Sequence, residues 1–250
     1  MKALLSTGAL TLALLLGGCG DKGVDANAVE SGGAGTTAAP IPAPNGGDWT
    51  ETVSATPEGG FVMGNPNAAV KVVEFGSMTC SHCAAFAAQG LPQLTANYVK
   101  TGHVSIEFRN FVRDPADIAA SLLARCGGET PFFTLTDQLF AAQEGWIGKL
   151  QAMTPADQQR LQGASPQQAV AAMASQAGLV DFVRLRGIPE DKARACLADE
   201  AALKKLVDMN AEATSKYQIA GTPSFLINNE LVPNSADWST LEPAIKAALR

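Results

Sequence analysis

The sequence predicts an α/β fold that carries a large helical block, and three observations predict it. Between residues 70 and 111 a short apolar strand, a helix and an alternating strand follow one another, which is the order of a parallel βαβ unit. Near the C-terminus two apolar runs flank Asn228-Asn229 in the manner of a hairpin. Between these stretches, from Asp114 to about Asp199, the chain reads as a succession of helices, most of them opening on a proline.

In chain order, Lys2 and an apolar run from Ala3 to Leu16 come first, followed by the small residues Gly17 and Gly18 and then Cys19. This pattern reads as a secretory signal peptide over residues 1–18. Leu16-Gly17-Gly18-Cys19 resembles the bacterial lipoprotein box, in which the peptide is cut before the cysteine and its sulfur is acylated. Lipid on Cys19 would anchor the protein rather than span the membrane; the other reading is a secreted protein with a spare cysteine. Residues 19–56 are then expected to be a lipidated Cys and a disordered tether, rich in Gly, Ala, Pro, Thr, Asn and Asp, with a mean span of about 30–35 Å. About 195 residues remain, enough for one domain with a proper core. A net charge of −6 over 250 residues argues against nucleic-acid binding.

The folded part begins with a short strand at Phe61-Val62-Met63-Gly64 and a turn at Asn65-Pro66-Asn67. The apolar run Val70, Val72, Val73, Phe75 predicts a buried strand ending at Gly76. Helical spacing of Ala84, Phe86, Ala87, Leu91, Leu94 and Tyr98 follows; Pro92 either kinks this helix or divides it in two. Residues 104–111 alternate as a strand. Helices are predicted at residues 115–126, 131–143, 155–161, 166–177 and 189–198, the first four preceded by the cap-like Asp114, Thr130, Thr154 and Ser165. A long helix over 201–217, the hairpin and a closing helix over 238–250 complete the chain.

The chemistry concentrates at Cys80-Ser81-His82-Cys83, a Cys-x-x-Cys pair in the first turn of the helix that follows the buried strand. Free N–H groups and the positive end of the helix dipole favour a thiolate there, and the thiolate is the reactive form. Cys80, nearer the helix start, is expected to be the exposed nucleophile, and Cys83, one turn in, the less exposed resolving thiol. A protonated His82 between them would stabilise the Cys80 thiolate further. The competing reading is a zinc half-site, but a structural zinc site wants a second close ligand pair. Neither Cys126 nor Cys196 has a Cys or His within four residues. With Cys19 set aside as lipidated, Cys126 and Cys196 remain. A structural disulfide between them is the simplest reading, two free buried thiols the other. No metal and no separate cofactor is expected.

Taken together, Val72-Val73-Glu74-Phe75 before Cys80-Ser81-His82-Cys83, and Gly221-Thr222-Pro223-Ser224-Phe225 some 140 residues later, resemble the thioredoxin superfamily. Within it they are most similar to the DsbA-like thiol–disulfide oxidoreductases. The resemblance covers about residues 58–250 and implies a thioredoxin fold with an inserted helical domain at about 112–199, inside a domain spanning 57–250. It implies that Pro223 is the family's cis-proline and that the backbone at Thr222 pairs with a substrate chain as an added strand. It implies that Glu74 is a buried acid beneath the resolving cysteine and that His82 tunes the redox pair. Ser81 and Thr222 depart from the proline and valine of the family's oxidase, which would make the disulfide less oxidising. The implied partners are protein thiols or disulfides and a membrane redox protein, either a quinone-linked oxidase or an electron-donating reductase. The implied activity is oxidation of protein thiols on the periplasmic side of a bacterial envelope. Reduction or isomerisation by the same fold, or metal binding by Cys80, Cys83 and His82 with His103, are the alternatives. No dimerisation domain of the isomerase kind is recognisable, so a monomer is expected.

Overall fold

A computed structural model describes residues 38–250. The expected signal peptide, the lipidation at Cys19 and the first part of the tether lie outside the described residues. The core is a six-stranded sheet in the order β1-β2-β4-β3-β5-β6. Its strands are β1 (Val53–Ala55), β2 (Phe61–Gly64), β3 (Val70–Gly76), β4 (Val104–Asn110), β5 (Ser224–Ile227) and β6 (Glu230–Leu231). Central β3 and β4 run parallel, from Val70 opposite Val104 to Gly76 opposite Asn110; every other pairing is antiparallel.

Alternation along β3 divides the core. Val70 and Val72 join Ile106, Phe225 and Ile227 on one face, against Phe86, Leu91, Leu94, Leu241 and Ile245. Val73 and Phe75 join Leu226 on the other, against Ala213 and Ile219. Residues buried on both faces explain why β3 reads as a nearly continuous apolar run. Glu74 lies in that run at 3% exposure, on the face it shares with Val72.

The crossover from β3 to β4 is made by α1 (Ser81–Gln89), α2 (Leu91–Leu94) and a π-helical turn over Thr95–Val99. Pro92 divides the helix instead of kinking it. It stands in the first turn of α2, where its missing N–H breaks no ladder bond. The break falls at Gly90, where a Cβ would lie 2.5 Å from the Phe86 ring.

Seven helices separate β4 from the long α10 (Glu200–Tyr217): α3 (Pro115–Arg125), α4 (Phe132–Ala141), α5 (Gln143–Gln151), α6 (Pro155–Leu161), α7 (Pro166–Ala177), α8 (Leu179–Arg184) and α9 (Glu190–Ala198). Asp114 caps α3 through Ala116 N and Asp117 N, and Thr154 and Ser165 form capping boxes. Thr130 does not cap; α4 starts after Pro131 with no side-chain cap bond. Helices α5 and α8 are absent from the sequence reading because their N-caps are Ala142 and left-handed Gly178, without a Ser/Thr/Asp-Pro signal. Phe132 stacks on Phe61 of β2 at 4.0 Å, joining block and sheet. Cys126 and Cys196 are bridged, linking the end of α3 to α9 across 70 residues.

The tether is shorter than its composition suggests. Residues 39–56 pack on the domain: Trp49 is 7% exposed, its indole N–H donates to Ile41 O at 2.7 Å, and Ile41 N donates to Thr101 O at 2.8 Å. A few anchors, Ile41, Trp49 and Val53, order a segment whose average composition reads as linker, so the fold begins near residue 39 and not at 57. At the other end Asn228 and Asn229 take φ of 50° and 70°, the geometry of a two-residue hairpin turn. Helix α11 (Trp238–Ala248) closes the chain behind the Asp237 cap.

Candidate active site

The site is built where β3 ends. Gly76 closes the strand, Ser77–Thr79 form a tight loop, and Cys80 is the N-cap of α1 with φ −89° and ψ 118°. As a cap, its Sγ accepts the backbone N–H of Cys83 at 3.3 Å. Its own S–H donates to the carbonyl of Thr222 at 3.2 Å, across the cis Thr222–Pro223 bond that leads into β5. The Cys80 thiol is held down to about 5, first by the hydrogen bond from Cys83 and then, against the cost of burial, by Thr222 and the backbone N–H groups of Cys83 and His82. Thr222 Oγ1 is buried with no partner while Cys80 is a thiol, so its hydroxyl is free to turn toward the thiolate. Cys83, fully buried, is pushed far above the ordinary thiol range by desolvation, then by the Cys80 bond and the Glu74 charge. Glu74 is raised to about 8, chiefly by burial, with the negative charges of Asp137 and Cys80 adding to it.

The two cysteines therefore differ strongly in acidity, but less in access than expected. Cys80 is only 4% exposed, against 0% for Cys83, because the Thr222 carbonyl lies over its sulfur. Ser81 and His82 are exposed on α1. The His82 backbone N–H also faces the Cys80 sulfur. The structure brings Cys80, Cys83, Glu74, Thr222 and Pro223 together. Cys126 and Cys196 sit in the helical block as a disulfide. His103 precedes β4 and meets Ala39 O at 2.9 Å; the parallel register puts it at the end of the sheet away from Gly76, about 20 Å from the cysteines. Among the described residues no group of three or more His, Cys, Asp or Glu could hold a metal ion.

A second set of residues, absent from the sequence reading, holds the loop before Cys80. Asp117 of α3, fully buried, accepts Met78 N at 2.8 Å, Ser77 Oγ at 2.5 Å and Arg113 N at 3.0 Å. Arg113 donates in turn to Ser77 Oγ and Thr79 Oγ1. Gln143 of α5 donates from Nε2 to Met78 O at 2.8 Å and to Cys80 O at 3.0 Å. Asp117 had one visible signal, a carboxylate on the otherwise small and apolar face of Ala116, Ala120 and Leu123; Gln143 had none. Two grooves open at residues that neighbour the cysteines, although neither cysteine lines them. One of about 550 Å³ is lined by Thr222, Pro223, Val232 and Pro233; another of about 410 Å³ is lined by His82, Phe86 and Trp238.

A helix N-cap cysteine of raised acidity, a buried partner thiol and the Thr222 carbonyl before the cis-proline at the sulfur form a thiol–disulfide arrangement. Residues 56–247 match the thioredoxin family. The chain is similar to the crystal structure of a protein-disulfide isomerase from Novosphingobium aromaticivorans, at 39% identity and a TM-score of 0.72, over 76% of this chain and 96% of that one. It is also similar to the disulfide bond formation protein D of Bacillus subtilis, 23% identical over 80% of this chain and 82% of that protein. A Rickettsia bellii protein, provisionally named a protein-disulfide oxidoreductase, is 27% identical over 71% of this chain; the match spans 60% of that longer protein. The fold is shared with Wolbachia pipientis alpha-DsbA1, at a TM-score of 0.61 and 20% identity over 84% of this chain and 93% of that one. The chain belongs to the thioredoxin family, and the relatives it resembles carry protein-disulfide oxidoreductase, isomerase and disulfide-bond-formation names.

Proposed function

We propose that this protein oxidises protein thiols to disulfides in the bacterial envelope, with Cys80 as nucleophilic and Cys83 as resolving cysteine. The observation that carries this reading is the acidity gap between them. A Cys80 thiolate held by helix N–H groups stabilises the dithiol form, which makes the disulfide form an oxidant. In the oxidised protein a substrate thiolate attacks Cys80 Sγ and the Cys80–Cys83 bond breaks. Cys83 leaves with the electron pair and takes the proton of Glu74, which is protonated at neutral pH. A second substrate thiolate then attacks the substrate sulfur of the mixed disulfide and expels the Cys80 thiolate. Two substrate thiols lose two electrons and two protons; the enzyme gains the electrons as one thiolate and one thiol. The substrate strand lies along Thr222, and Ser81 and His82 line the rim. A membrane redox partner restores the disulfide, and lipid at Cys19 tethers the domain, as a monomer, on the periplasmic side.

A second reading, isomerisation, is favoured by the description of the Novosphingobium structure as a protein-disulfide isomerase. The test is turnover of two substrates, a reduced unfolded ribonuclease and a scrambled one. Oxidation of the first by stoichiometric oxidised protein, lost in Cys80→Ser, is expected. Activity on the scrambled substrate alone would move the protein to the isomerases, and oxidation that survives Cys80→Ser would overturn the assignment.

A further inference from the structure

We infer that Gln143 is a positioning residue for the thiol chemistry, setting the acidity of Cys80 from the helical block without touching its sulfur. The inference rests on Cys80 being the reactive thiol proposed above. For Sγ to accept Cys83 N, the Cys80 backbone must keep its extended N-cap conformation. The Cys80 carbonyl is the first acceptor of α1, bonded by Ala84 N at 3.1 Å, and Gln143 Nε2 holds the same oxygen at 3.0 Å. The second Nε2 donor takes Met78 O, so the Met78–Thr79 and Cys80–Ser81 peptide planes are both held by one side chain. From the other side Asp117 takes Met78 N, leaving the Met78 residue clamped at both its N–H and its C=O by helices of the block.

Gln143 is placed to act as a rigid arm. It is the first residue of α5, 7% exposed, and α5 is locked against α4 by Trp146, whose indole N–H donates to Leu139 O at 3.0 Å. Its two N–H groups also counter the partial negative charge of two carbonyls next to a sulfur that must carry a full one. Without them Met78 O is bare and Cys80 O keeps only Ala84 N, the cap is freer to rotate, and both changes raise the thiol.

The test compares the full chain with Gln143→Met, which keeps the length of the side chain and removes both donors. Thiolate absorbance at 240 nm against pH reads the Cys80 acidity; equilibration with glutathione reads the redox poise. The expected result is a rise of about one pH unit in the Cys80 midpoint, with a roughly tenfold less oxidising equilibrium, or about 30 mV for a two-electron couple. Should Gln143→Met not fold, Gln143→Ala admits water to the same carbonyls, restoring the bonds without the positioning, and a smaller rise in the same direction is expected. A purely structural role lowers the melting temperature and moves neither readout, so a folded variant with unchanged midpoint and equilibrium overturns the inference. A parent protein that never exchanges with glutathione overturns the functional reading instead, and the Cys80 titration still decides the role of Gln143.

Discussion

Replacing Glu74 by Gln changes how stability depends on pH. Burial raises Glu74 from 4.5 to about 8 in the fold, while in the unfolded chain it titrates at its ordinary value. Between those limits the folded state holds one proton more than the unfolded state, so stability falls as pH rises, by about 1.4 kcal/mol per pH unit. The stabilising contribution is complete below about 4.5 and lost by about 8; the whole gap amounts to at most roughly 5 kcal/mol. Gln cannot ionise, so the parent should lose ground to Glu74→Gln by a few kcal/mol between pH 5 and pH 8.5. Urea unfolding of both proteins at matched pH values, with Cys80 and Cys83 reduced, gives the difference directly, because groups common to both cancel. A difference that stays constant to within about 0.5 kcal/mol across that range would refute the argument that Glu74 is held protonated.

The depressed Cys80 titration has the opposite sign. Its stabilising contribution is present at high pH and disappears as pH falls through about 5, so the 240 nm thiolate signal of the reduced protein should show a midpoint near 5 that is absent in Cys80→Ser. Opening the Cys126–Cys196 bridge by Cys126→Ala with Cys196→Ala frees a loop of 70 residues in the unfolded chain and should cost about 4 kcal/mol in denaturant unfolding while leaving the Cys80 titration in place. Trp49→Ala should cost about 3 kcal/mol and raise amide exchange at Ile41, showing that residues 39–56 belong to the fold.

Legibility followed the range of the interactions. The βαβ unit, the hairpin at Asn228-Asn229 and the Pro-led helices are written in local patterns, and each lies within a few residues of where it was expected. Helices α5 and α8 carry no local start signal and are held by packing, Trp146 in one and Leu179 and Val183 in the other. The N-terminal strap failed as a reading of composition, since Trp49 and Ile41 act through bonds to residues far away in sequence. Cys80 and Cys83 were legible as a motif, whereas Asp117 and Gln143 lie 37 and 63 residues beyond Cys80 and meet its loop only once the block has folded. The low exposure of Cys80 was equally invisible, because it depends on the carbonyl of Thr222 arriving from the other end of the chain.

The redox equilibrium of the Cys80–Cys83 pair against a glutathione series tests the central claim most directly. An acidic Cys80 facing a strongly raised Cys83 predicts a potential well above thioredoxin's, about −270 mV, toward the −120 mV end of the family. A potential at or below thioredoxin's would contradict the account and make this pair a reductant.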